Sequence, residues 1–267
     1  MTLHSFAVLA YKDSPYLSDC LDSLMRQTTD SEVYLTTSTP STYISDLARQ
    51  YGIKVYVTEK GRGIAHDWNF SLQQAKTKYV TLAHQDDLYL PDYAENCVQQ
   101  AERFRDTLIC FTDYTEIADG IERSDNSLLR IKRWMLAFFM PFNKQISTPF
   151  WKRKSLSFGC PIAAPSVMYN LEKLSTFQFS IDFSINMDWD AWTRIAALNG
   201  RFVFVNKRLL KHRIHADSAT TKGLEANLRQ EEDLKMFKRF WPDFFAAVIA
   251  RFYAGGYKSN SHENADK

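Results

Sequence analysis

The chain is poor in the features that mark several common protein classes. Its four cysteines, Cys20, Cys97, Cys110 and Cys160, are scattered, with no CxxC pair and no spacing that would frame disulfides. They read as reduced core residues of a cytoplasmic protein. The formal net charge is only +2, and no RRM, zinc-finger or basic-helix pattern occurs, so nucleic acid is not an expected partner. The opening MTLHSFAVLAY lacks the basic region and long apolar core of a signal peptide. The longest apolar run, Trp134 to Phe142, falls far short of the ~20 residues that cross a bilayer. Internal repeats and low-complexity segments are also missing.

What is present is an ordinary globular composition, 45% apolar and 24% charged over 267 residues, enough for one large domain or two small ones. The first hundred residues alternate apolar strands with amphipathic helices. SFAVLAY, EVYLTTS, IKVYVTE and YVTLAHQ read as strands. Between them lie a helix with Leu17, Leu21, Leu24 and Met25 on one face, opened by Ser14-Pro15, and STYISDLARQYG, stopped by Gly52. A third helix carries Ile64, Trp68, Leu72 and Ala75, and PDYAENCVQQAERF follows with Pro91 at its start. Strands separated by single helices predict a parallel, doubly wound α/β sheet, whose ligands sit beyond the carboxyl ends of the strands. From about residue 120 the rhythm breaks. RIKRWMLAFFMPFNKQISTPFWKRK (130–154) has no clean period, RFVFVNK returns as a strand, and LEANLRQEEDLKMFKRFW reads as a charged amphipathic helix before a disordered tail, SNSHENADK.

The fourth strand ends in His84-Gln85-Asp86-Asp87, and two adjacent carboxylates need a cap, a cation or water to offset their repulsion. Asp87 could cap a turn before Pro91 while Asp86 is solvated. Alternatively, Asp86 holds Mg²⁺ or Mn²⁺ against the phosphates of a nucleotide, as oxygen ligands at a strand end would suit. Gly61-Arg62-Gly63 opens a helix after a strand, but His66 occupies the third glycine position of a dinucleotide fingerprint. It reads either as a tight turn or as a phosphate contact through Arg62. A Rossmann dehydrogenase does not fit.

Three stretches, FAVLAYKDSPYLSDCLDSLMRQT, GRGIAHDWNFSLQQAKTKYVTLAHQDDLYLPDYAE and NMDWDAWTRIAALNGRFVFVNKRLLKHRIHADSAT, together resemble family-2 glycosyltransferases of the GT-A fold, in order, over residues 5–221. The resemblance implies an inverting, metal-dependent hexosyltransferase-type enzyme using a nucleotide-sugar. Its fold would be a Rossmann-like, mostly parallel sheet flanked by helices, with an irregular acceptor-side insertion and a C-terminal helical segment. A GT-A domain would span 1–222, with a nucleotide-sugar half to about 115 and an acceptor half from about 116. Residues 223–267 would form the C-terminal helix and tail.

The family's Asp-x-Asp element matches here with His84 at its first position and Asp86 at its last. Asp86 is therefore the implied metal ligand, with His84 and Asp87 at the nucleotide; an imidazole could also ligate Mn²⁺ more readily than Mg²⁺. The second strand ends in Thr36-Thr37-Ser38 where the family often has an acid that reads uracil. A UDP-sugar is the first expectation, contacted by the backbone at Ala10 and Tyr11 and by Asp13. Asp188 falls where the family places its catalytic base, with Met187 replacing the usual Glu; read alone, NMDWD is a helix start with Asp188 as N-cap. Arg213, His215 and Ser218 lie in the segment that closes over the diphosphate, Arg213 as a nucleotide contact and His215 as a further metal ligand. His4, His66, His212 and His262 are expected at the surface or in the core.

The expected acceptor is a glycan or lipid-linked glycan in bacterial surface-polysaccharide synthesis. Residues 130–154 carry Arg130, Lys132, Arg133, Lys144, Lys152, Arg153 and Lys154, no acid, and six interleaved aromatics. They are either a cationic loop packed over the core or a patch that holds a cytoplasmic protein peripherally at the inner face of the membrane. Two rivals stand beside the enzyme: a catalytically inactive glycosyltransferase-like scaffold in a glycan-assembly complex, and a nucleotidyltransferase. The second normally has a glycine-rich loop after its first strand, which AYKDSPYL is not.

Overall fold

The computed structural model describes residues 2–118, 120–141, 144–215 and 228–262, with side chains described as far as residue 254. Four strands, β1 (His4–Ala10), β2 (Ser31–Thr37), β3 (Lys54–Val57) and β4 (Tyr79–His84), pair in parallel in the order β3-β2-β1-β4. They are joined by helices α1 (Leu17–Met25), α2 (Thr42–Tyr51) and α3 (Ile64–Gln74). Because successive side chains alternate between faces, β1 sends Phe6, Val8 and Ala10 to one core, with Leu17, Leu21 and Leu24 of α1. Ala7 goes to the other, with Trp68 and Leu72 of α3. This is the expected doubly wound half.

The sheet stays mostly parallel, and short antiparallel strands enter it from here on. After β5 (Leu88–Tyr89) and α4 (Tyr93–Arg103) comes the twelve-residue β6 (Thr107–Ala118), every residue of it buried. Next to it, β9 (Val167–Asn170) runs antiparallel to both β4 and β6. A parallel strand would need the chain carried back to the far edge of the sheet first. Short strands β7 (Ile121–Arg123) and β8 (Gln145–Ile146) also pair antiparallel, with β6 and with β10 (Arg201–Ile214) respectively. β10 lies parallel to β6, its register broken between Val205 and Arg208 and again before Leu210.

Several local expectations change. Ser14-Pro15 precedes rather than opens α1, whose N-cap is Tyr16. Pro91 sits two residues ahead of α4, and its carbonyl accepts from Thr28 N at 2.8 Å. Much of 130–154 is regular: 130–139 lie in α5 (Ser127–Phe139), capped by the Asn126 side chain on Leu129 N at 2.8 Å, and 149–154 lie in α6 (Pro149–Ser155). Apolar Ile131, Trp134 and Phe138 on the exposed face of α5 mask its helical period.

Several of that segment's cations are engaged internally, among them Arg153, whose Nη2 donates to Arg239 O at 2.6 Å. Lys132 Nζ donates to the Tyr114 hydroxyl, Arg133 clamps Asp113, and the fully buried Lys152 Nζ donates to the carbonyls of Leu198 at 2.6 Å and Gly200 at 2.7 Å. Phe142 lies outside the described residues.

Helix α7 (Met187–Ala196) follows, then α8 (Leu228–Lys238) and α9 (Asp243–His262). The helix expected from residue 224 is therefore seen from Leu228, with 224–227 outside the described residues. The tail expected to be disordered begins as helix, since α9 runs to His262. Residues 263–267, Ser218 and the division drawn at 222 are outside the described residues. Met236 and Phe237 of α8 are buried in the same core as Trp189 of α7, with the Trp189 and Phe237 rings 5.0 Å apart. No described helix is long and apolar enough to cross a membrane.

Candidate active site

The carboxyl ends of β1, β2 and β4 open onto one cleft. Beyond β1, the chain turns through Lys12, a non-glycine residue with φ +57°, held by its N–H on Thr39 Oγ1 at 2.6 Å. That turn presents the exposed Tyr11 and sets Asp13 Oδ1 to accept from Ser41 Oγ, the α2 N-cap, at 2.6 Å. Gln85 binds Tyr11 reciprocally: its Oε1 accepts from Tyr11 N at 2.9 Å and its Nε2 donates to Tyr11 O at 3.0 Å. A side-chain amide thus adds a rung to the β1–β4 ladder past the point where the strands end.

His84, Asp86 and Asp87 offer ligand atoms all within 4.8 Å of one another. Asp86 Oδ2 meets His215 Nε2 at 2.8 Å, and Arg213 Nε donates to the Asp86 carbonyl at 2.9 Å. Burial acts to raise the Asp86 pKa, but the imidazoles of His84, His215 and His212 outweigh it and hold the carboxyl below its ordinary range. Burial also lowers the His84 pKa, against the pull of Asp87 and Asp86. Its Nε2 is buried without a hydrogen-bond partner. An imidazole nitrogen without a hydrogen-bond partner, beside a carboxylate, is a donor set that a divalent cation with some taste for nitrogen would take, so the residues fit Mn²⁺. His215 reaches Asp86 but lies outside the three-residue cluster.

Asp87 is fully buried and faces inward. Its Oδ1 accepts from Arg213 N at 2.8 Å and meets His212 Nδ1 at 3.0 Å. The two halves of the chain are locked together here, across more than a hundred residues of sequence. Burial would depress the His212 pKa, but Asp87 overrides it and pushes it up to about 9. His212, expected as an ordinary surface or core residue, is instead the cation that balances the second carboxylate. His4 is a core residue as expected, its ring nitrogens on Ser31 and Thr81 hydroxyls.

Arg213 is stacked on Tyr16 at 4.4 Å and its guanidinium approaches Asp19 at 3.5 Å. Arg62 stands apart in an exposed turn, paired with Glu59 at 2.9 Å. Gly61 and Gly63 flank it at φ +85° and +89°, which is the requirement of a tight turn. Ser38, past the end of β2, donates to Asp67 Oδ2 at 2.9 Å. Asp67 Oδ1 makes no hydrogen bond, and His66 Nδ1 is 3.7 Å from it. An acid does reach the end of β2, but from α3, where reading the strand alone could not find it.

Asp188 lies in the first turn of α7, whose N-cap is Asn186 rather than Asp188 itself. Its Oδ1 accepts from Trp189 N at 2.7 Å and its Oδ2 lies 4.0 Å from Cys160 Sγ. Burial raises its pKa, against the charges of Arg229, Lys132 and His84 and the Trp189 N–H bond. A carboxyl of raised pKa within electrostatic reach of His84 has the character of a proton acceptor beside the cleft.

The family model for glycosyl transferase family 2 matches residues 5–166. The chain belongs to glycosyltransferase family 2. An uncharacterized glycosyltransferase of Rickettsia prowazekii is 25% identical over 235 residues, covering 87% of this glycosyltransferase and 70% of the relative. The GT-A fold is shared with solved structures. TarS 1–349 of S. aureus in complex with UDP-GlcNAc has a TM-score of 0.62 at 14% identity, over 94% of this chain and 70% of that one. The mannosyltransferase PcManGT of Pyrobaculum calidifontis, in complex with GDP-Man and Mn²⁺, has a TM-score of 0.64 at 15% identity, over 94% and 69%. Against the longer TarS structure, this glycosyltransferase spans 42% of the length.

Proposed function

We propose that the protein is an inverting, metal-dependent glycosyltransferase that moves a sugar from a nucleotide-sugar to a hydroxyl of a glycan or lipid-linked glycan. It would act at the cytoplasmic face of the membrane in bacterial surface-polysaccharide synthesis. The observation that carries the reading is the buried, unpartnered His84 nitrogen beside the Asp86 carboxylate at the mouth of the cleft. His84 and Asp86 would hold Mn²⁺ or Mg²⁺, with His215 turning from Asp86 to join them. The cation's charge would stabilise the departing diphosphate. Arg213 would add its charge to the same side, and Tyr11, Asp13 and the backbone at Ala10 would contact the nucleotide. Asp87 supports the site from beneath, through His212 and the Arg213 backbone. Asp188 would take the proton of the attacking hydroxyl from the opposite face, which inverts the anomeric carbon. A UDP-sugar remains the first choice, and Asp67 is the acid best placed to sense the base.

A lipid-linked acceptor is supported by a run of exposed aromatics. Trp134 stacks on Phe138, Phe138 and Trp151 line one recess, Phe150 adjoins Trp151, and Lys154 bridges Phe150 to Trp241 and so to Phe158. With Lys132, Arg133 and Lys152 tied internally, contact with a membrane would rest on ring insertion more than on charge.

Hydrolysis of a panel of UDP- and GDP-sugars with Mn²⁺ tests the enzyme reading. Asp188→Asn is expected to slow turnover by at least ~10²-fold with donor affinity little changed. No turnover of any donor would favour the inactive scaffold.

A further inference from the structure

The stretch that carries Asp188 is held from the far end of the chain. Ser184, Ile185 and Asn186 are consecutive, and their three backbone N–H groups all donate to one carboxylate, that of Glu232 on α8. Ser184 N reaches Oε1 at 2.7 Å, while Ile185 N and Asn186 N reach Oε2 at 2.9 and 2.8 Å. Glu232 is almost wholly buried. Beside it, Asp233 Oδ1 accepts from Asn186 Nδ2 at 2.7 Å. These groups immediately precede α7, where N–H groups lack helical partners and the helix dipole is positive, so a buried carboxylate there is well matched. Two residues past Asp188, Asp190 pairs with Arg194 at 2.8 Å and with Arg239, just beyond α8. Asp188 is therefore bracketed on both sides by ties to α8 and the residue that follows it. Docking α8 to the body is already served by Met236 and Phe237, both fully buried. The Glu232 bonds go instead to the turn that aims Asp188.

We propose that Glu232 is a positioning residue for Asp188, fixing the turn at 184–186 so that the carboxyl is held beside Cys160 at the cleft. The inference rests on the reading of Asp188 as the base, and two readouts separate their failures. Cys160 is the one cysteine not fully buried, and its thiol is pushed up by burial and by the Asp188 charge. Its alkylation by iodoacetamide thus reports where that carboxylate sits, with no donor present. In the full-length protein, Asp188→Asn and Glu232→Ala are each expected to speed alkylation at least about threefold, as a fall of roughly half a pKa unit would. The double variant should be no faster than Asp188→Asn. Glu232→Gln keeps one acceptor oxygen and should fall between wild type and Glu232→Ala; it carries the test if the alanine variant does not fold.

The second readout is Mn²⁺-dependent hydrolysis of UDP-GlcNAc or GDP-mannose. Glu232→Ala should lower kcat on the order of 10- to 100-fold with KM for donor unchanged, the effect of a misplaced catalytic group. Wild-type alkylation in a folded Glu232→Ala protein, or a double variant faster than Asp188→Asn, overturns the proposal. If Asp188→Asn hydrolyses donor normally while Glu232→Ala still speeds alkylation, the base assignment falls and Glu232 stands as the holder of that carboxylate. If Asp188→Asn is slow and Glu232→Ala matches wild type in both readouts, the positioning role falls alone.

Discussion

Lys152 offers a quantitative check on the packing beneath the site. It is fully buried in α6, with Nζ on the Leu198 and Gly200 carbonyls. Burial lowers its pKa to about 8, partly offset by Asp106. In the unfolded chain a lysine titrates near 10.4, so the charged form is disfavoured on folding by about 3 kcal/mol. The sign follows from linkage. Below pH 8 both states hold the proton and the full cost applies; as pH rises the folded state releases it first, so stability grows between pH 8 and 10.4. From pH 7 to 9 the cost falls from about 3 to about 2 kcal/mol, a gain of roughly 1 kcal/mol from this residue. Lys152→Met removes the titration but orphans two carbonyls, at about 1–3 kcal/mol each, so its stability at pH 7 should stay within a few kcal/mol of wild type. Urea unfolding of both proteins at pH 7 and 9 isolates the effect, because every other group cancels in the difference. Wild type should gain roughly 1 kcal/mol over the Met variant across that range. A difference independent of pH would show that the ammonium keeps its proton, and the account of α6 as anchored by a strained charge would be wrong.

Two further outcomes bear on the site and its surroundings. Asp86→Asn, nearly isosteric, should abolish the Mn²⁺-dependent part of UDP binding by calorimetry while leaving the melting temperature in place; equal affinity with and without Mn²⁺ in wild type would remove Asp86 as a ligand. In co-sedimentation with vesicles containing anionic lipid, retention should fall sharply in Trp134→Ser with Phe138→Ser and change little between low and high salt. Retention lost with salt alone would return the weight to the cations.

Legibility in the sequence followed how local each signal is. β4 reads as a buried strand, and a strand end carrying two adjacent carboxylates is visible without any partner, so the pair Asp86-Asp87 stands out in the sequence. The balance of charge around it could not. His212 acquires its role only because β10 lies against Asp87, a pairing set by tertiary register. Glu232 sits in the run LRQEEDLKMFK, whose charges look like a solvated face, and nothing nearby shows that it turns inward to three amides. The same limit hid β9. Its antiparallel course depends on where the preceding helices leave the chain, which strand propensity does not encode.

The Gln85 rung has a thermodynamic consequence. Tyr11 and Asp86 belong to segments far apart in the chain, yet the amide of Gln85, the residue before Asp86, ties them into one body. Anything that steadies one steadies the other. A cation at Asp86 would then lower the entropy left to lose when a nucleotide settles on Tyr11, and the nucleotide would return the same factor to the cation, since coupling free energies are reciprocal. The two ligands would fill the cleft as a pair rather than in turn, and the strength of that pairing would be set by a residue that touches neither.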